Sequence, residues 1–150
     1  MNLTPERIIE LLRLEPLPEE GGMYARHYAD QHSTAIFYLL RRGDFSALHR
    51  LDAPEVYHFY AGDTVQMLWL QPDGTIARPV LGMDLIMGQR PSLVVEAGVW
   101  QGSETTGEWS LVGTTMAPGF TPDRFRLGDR DALIERYPDA STEIRRLTRS

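Results

Sequence analysis

The chain contains no cysteine and no lysine. Without cysteine there can be no disulfide, no thiolate nucleophile and no cysteine-ligated zinc. Without lysine there is no Schiff base on a lysine amine and no P-loop, which sets a lysine on the phosphates. Positive charge is in deficit. Fifteen cations, all arginine, face twenty-one acids for a formal net charge of −6, which argues against nucleic acid or an anionic membrane surface as a partner. Long hydrophobic runs are also missing. The longest, residues 35–40, is far too short to span a bilayer. The first ten residues carry charge early and have no apolar core of signal-peptide length, so a cytoplasmic location is expected.

What is present fits one domain. A chain of 150 residues with 42% hydrophobic content can bury a real core, and no linker, repeat or low-complexity segment divides it. The pattern runs helix, strands, helix. Thr4-Pro5-Glu6 reads as a helix start, with Thr as cap, Pro at the first helical position and Glu favoured by the dipole. Ile8, Ile9, Leu11 and Leu12 continue it as an apolar stripe, giving a helix over 5–13. Residues 17–22 form a Pro/Glu/Gly connection. From there to about residue 127 short β-rich runs alternate with turn signals such as Arg42-Gly43-Asp44, Asp52-Ala53-Pro54 and Pro72-Asp73-Gly74. Strands are expected at 23–28, 34–40, 45–51, 56–60, 65–70, 76–81, 93–97 and 109–116. Short helices follow over 131–148, split by Pro138. Eight or more short strands in one domain indicate an all-β sandwich or barrel.

The chemistry concentrates between Gly43 and Gly62, which hold two of the four histidines. Strand alternation places Phe45, Ala47, His49 and Leu51 on one face, and Glu55, Tyr57 and Phe59 on one face of the next run. Their apolar company points both faces inward and sets His49 and Glu55 near each other across the Asp52-Ala53-Pro54 turn. A buried carboxylate needs a partner. His49 would share its proton or help it polarise a ligand. A structural pair that merely satisfies itself in the core is the competing reading. His58 is out of phase with Glu55 and is expected on the other face.

The spacing of Gly43, His49, Glu55 and Gly62 resembles the first sequence motif of the cupins. Further segments are similar to one uncharacterised branch of that superfamily, the cupin-5 or DUF985 family: Glu20-Gly21-Gly22-Met23-Tyr24, residues 35–40, Leu81-Gly82, Gly98-Val99-Trp100-Gln101, Leu111-Val112-Gly113, Ala117-Pro118-Gly119-Phe120 and Phe125. The resemblance covers about residues 3 to 148. It implies a single-domain jelly-roll β-barrel (a double-stranded β-helix) over about 22–127, flanked by the terminal helices, and a homodimer.

Metal-binding cupins usually carry a second His two residues after the first, and close their second motif with a His. Leu51 and Gln101 stand at those positions. No cofactor is therefore expected, a weakly held divalent metal at His49 and Glu55 being the remaining alternative. The implied pocket is lined by His49, Glu55, Tyr57 and Gln101, with Trp100 near its mouth. Arg26 and Tyr28, alternating on an early strand, are placed to reach an anionic group. The expected ligand is a small polar molecule of the sugar or nucleotide-sugar type. The resemblance suggests a metal-independent epimerase or isomerase with His49 as base, Glu55 as its orienter and Tyr57 or Tyr60 as acid. A non-catalytic binding or sensing module is the alternative, and a metal-dependent oxygenase ranks third.

Overall fold

The computed structural model describes residues 2–149. Helix α1, Pro5–Leu12, is capped by the Thr4 hydroxyl, which accepts from the Arg7 N–H, and ends at Arg13 in the left-handed region. Its Ile8 packs with Leu14 and Leu39 on the outside of the first sheet. The chain then runs through β1 Glu15–Pro16, β2 Met23–Ala29, β3 Thr34–Arg41, β4 Ser46–Leu51, β5 Glu55–Gly62, β6 Val65–Leu70, β7 Ile76–Ala77, β8 Val80–Leu81, β9 Ser92–Val95, β10 Trp100–Thr105, β11 Trp109–Met116 and β12 Phe125–Leu127. Helices α2, Arg130–Arg136, and α3, Ser141–Arg146, follow, with Pro138 between them opening a short 3-10 turn.

Two antiparallel sheets face each other. The first has the order β1-β2-β3-β11-β5-β9 and the second β12-β4-β10-β6-β7, with β8 also on β6. Between them Tyr38, Leu40, Tyr57, Val65, Met67, Leu81, Val95, Val99 and Val112 form one core. The outer face of the second sheet is covered by α2 and α3 through Leu48, Leu68, Leu70, Leu133, Tyr137 and Ile144. The result is a jelly-roll barrel with terminal helices as outer braces.

Some expected boundaries shift for identifiable reasons. The 76–81 run is two strands because Pro79 interrupts it. Strand β10 was not expected, since its polar residues Gln101 and Ser103 are buried and its sequence lacks an apolar face. Phe45 does not share the His49 face. A bulge between β4 and β10 pairs Gln101 with His49 but Ser103 with Ser46, which reverses the alternation. Ser46 therefore turns inward, and Phe45 packs with the C-terminal helices.

Candidate functional site

One cavity of about 460 Å³ opens between the sheets. Its walls include Tyr24, Arg26, Ile36, Tyr38, Tyr57 and Thr114 from the first sheet, and His49 and Leu51 from the second. The connection between β1 and β2, residues 17–22, closes over it like a strap and carries Glu20 into it. Glycine makes the strap's turn feasible. Gly21 and Gly22 have φ of +100° and +80°, and a Cβ on Gly22 would stand 2.7 Å from the Tyr38 ring. The buried Tyr38 hydroxyl donates to the Gly21 carbonyl at 2.5 Å, and the Ala47 N–H donates to the Glu20 carbonyl. Tyr38→Phe should leave that carbonyl without its donor. The expected cost is about 1 to 2 kcal/mol, read from urea unfolding with the m-value unchanged.

His49 is buried. Its Nδ1 lies 2.7 Å from the Ala47 carbonyl, which can only accept, so Nδ1 carries the hydrogen. In the neutral ring Nε2 is then a free lone pair, 3.8 Å from Glu20 Oε1. The ring stacks on Phe125 of β12 at 5.2 Å, which fixes its plane. Glu20 is held in turn by Ser46, whose hydroxyl donates to Oε2 at 2.7 Å. Glu55 lies on the opposite sheet, and its Oε1 accepts from Gln101 Nε2 at 3.0 Å. Burial pushes the Glu55 carboxyl up to about 7, and the charge of Glu20 adds to this; His49 and hydrogen bonds from Thr114 and Gln101 act against it. Burial and the same two carboxylates hold the Tyr57 hydroxyl well above its ordinary value, so it stays a protonated donor.

The structure thus brings together His49, Glu55, Tyr57 and Arg26. It corrects several placements. The carboxylate beside His49 is Glu20; Glu55 instead pairs with Gln101. Gln101 stands behind Glu55 as its support, absent from the cavity lining. Trp100, its neighbour on the strand, must face outward; it packs with the C-terminal helices and carries the Arg50 guanidinium 4.7 Å from its ring. Tyr28 is also outside. A bulge pairs Arg26 with Ile36 but Tyr28 with Ala35, so Tyr28 turns to solvent and bonds Asp30. Tyr60 lies exposed on the outer face, edge-on to Phe37. His58 is on that face too, bonded to Thr115. Sequence reasoning missed Glu20, Tyr38, Thr114 and Phe125. For Glu20 the only signal was a carboxylate preceding a Gly-Gly turn.

The donor set does not suit a tightly held transition metal. Among the described residues no three His, Asp or Glu side chains are grouped to hold one. Glu55 retains its proton up to about pH 7, whereas a ligand must give it up.

A sandwich of two antiparallel sheets, closed around an interior cavity with its polar groups on β4, β5 and the strap, defines a cupin-type barrel. The chain belongs to the cupin superfamily family DUF985, whose profile matches residues 6–128. It is 34% identical to a solved protein from Shewanella oneidensis, with 99% of each chain covered and a TM-score of 0.92. A hypothetical protein from Leishmania major is 25% identical over 99% of this chain and 100% of its own, with a TM-score of 0.91. A cupin 2 conserved barrel domain protein from Rhodopseudomonas palustris shares the fold at 16% identity, covering 100% and 88% of the two chains, with a TM-score of 0.61. Comparison with curated proteins gives no match. Among the described residues no helix is long and apolar enough to cross a membrane.

Proposed function

We propose that the barrel binds a small polyhydroxy carbonyl compound of the sugar type and catalyses metal-independent proton transfer next to its carbonyl, as an isomerase or epimerase. One observation carries the reading: His49, its Nδ1 committed to the Ala47 carbonyl, turns Nε2, the lone-pair nitrogen of the neutral ring, to the cavity. A positioned imidazole with a free lone pair is a competent general base.

In the proposed step Nε2 takes the proton from the carbon beside the carbonyl. The electron pair of the broken C–H bond forms the enediol C=C bond, and the Glu55 carboxylic acid passes its proton to the carbonyl oxygen. The Glu20 carboxylate faces the imidazolium so formed. For isomerisation, His49 returns its proton to the former carbonyl carbon, and the hydroxyl on the carbon first deprotonated gives its proton to Glu55 as its oxygen becomes the new carbonyl. For epimerisation, Tyr57, on the opposite sheet from His49, protonates the other face of the same carbon while the hydroxyl formed at the carbonyl oxygen returns its proton to Glu55. Exchange with water then resets His49 and Tyr57. No electron leaves or enters the substrate.

The test is solvent exchange. In D₂O the purified protein should replace the hydrogen beside the carbonyl in at least one member of a panel of aldoses, ketoses, their phosphates and uronic acids, followed by proton NMR. Tight binding without exchange would reject proton transfer and make the barrel a binding or sensing module. The homodimer remains a proposal for sedimentation to check, as does the cytoplasmic location for fractionation.

A further inference from the structure

The cavity is electrically two-ended. Three acceptors line one end: His49 Nε2, with the Glu20 carboxylate 3.8 Å from it, and across the cavity the Glu55 carboxyl. Each is held by a donor or acceptor on its far side, from Ala47, Ser46 or Gln101 respectively, which leaves its remaining lone pairs facing the cavity. Such a cluster recognises donors, and adjacent hydroxyl groups supply them.

The other end holds a cation. Arg26 pairs with Ile36, Ile36 with Thr114 and Thr114 with Tyr57, so the four occupy one row across β2, β3, β11 and β5. All four line the cavity. Three strand spacings put the Arg26 and Tyr57 backbones about 14 Å apart. Arg26 is exposed at the rim and enters none of the ion pairs found among the described residues. Several other arginines of this acidic chain are engaged, Arg78 with Glu143, Arg124 with Asp52 and Arg146 with Glu104, while Arg50 and Arg149 lie over aromatic rings. Among the described residues Arg26 is the arginine that lines the cavity. An arginine with no ion-pair partner on the wall of a ligand cavity has a bidentate fork available for an anion.

We infer that the ligand is a hydroxylated carbonyl compound with one terminal anionic group, a phosphate or a carboxylate, bound at Arg26, its hydroxyl-bearing end lying against His49, Glu20 and Glu55. This rests on the reading of the cavity as a sugar-type site and adds the charge and orientation of what enters it. The separation of the two ends matters. An anion seated at the inner end would meet the Glu20 carboxylate, so the charged terminus is turned toward the rim.

Calorimetric titration with fructose 6-phosphate, glucuronate and fructose, on the wild type and on Arg26→Gln and Arg26→Lys, tests this without requiring turnover. At least one anionic probe should bind ten times or more tighter than fructose. That advantage should vanish in Arg26→Gln and return in part in Arg26→Lys, and the preferred probe distinguishes phosphate from carboxylate. Equal binding of charged and neutral probes, an advantage that survives Arg26→Gln, or no binding of any probe would overturn the inference. Deuterium exchange into neutral sugars without anion preference would sink it and leave proton transfer standing. Arg26-dependent binding without exchange would do the reverse.

Discussion

Glu55→Gln is expected to separate from the wild type in stability as pH rises, with the two nearly equal at pH 4.5 and the variant about 3 kcal/mol more stable at pH 8. Burial pushes the carboxyl from its ordinary value of 4.5 up to about 7 in the folded protein. Between those values the folded state holds a proton that the unfolded state has lost. Stability therefore falls with rising pH across that window and levels off above it. The two and a half units convert to roughly 3 kcal/mol. A glutamine still accepts from Gln101 Nε2 in place of Oε1 and cannot ionise. Urea unfolding of both proteins at half-unit steps from pH 4.5 to 8 reads the difference directly. A constant difference would mean that Glu55 titrates alike folded and unfolded, and would remove the acid from the proposed mechanism.

His49→Ala is expected to lower the solvent-exchange rate by about 10² to 10⁴-fold, the range that a positioned general base supplies. The variant loses a buried ring stacked on Phe125, so unfolding must be measured alongside to show that the barrel persists. Binding of the exchanging sugar should weaken far less than the exchange rate, because Glu20 and Glu55 remain to accept from it. A variant that is folded, saturated with ligand and within tenfold of the wild-type rate would exclude His49 as the base.

Much of this site was legible before any coordinates. His49 and Glu55 sit on β4 and β5, flanked by Ala, Leu, Val and Tyr, and local alternation plus burial points them inward. The fold followed from the number of short strands and the turns between them, with the ordered cupin segments adding its topology. The misplacements have physical causes. A bulge inserts one residue with no compositional mark, and the one in β2 was enough to turn Tyr28 away from Arg26. The pairing of Trp100 with Gln101 contradicted alternation from the start, since neighbours on a strand cannot both face a cavity. Glu20 lies in a connection with no period at all, and long-range bonds from Ser46, Ala47, Tyr38 and Arg149 to this connection hold it beside His49. Such contacts are set by the closed barrel and leave no local trace in the sequence.

The Gln101–Glu55 hydrogen bond joins the two sheets, one partner on each. Its position ties the protonation of the interior to the closure of the sandwich. If the sheets part far enough for water to reach Glu55, the burial that raises its proton affinity is gone, and near neutral pH the carboxyl gives its proton to the solvent. Breathing of this barrel is therefore an acid-releasing motion, favoured by alkaline solution and opposed by mild acid, and its extent can be followed by the protons it sheds.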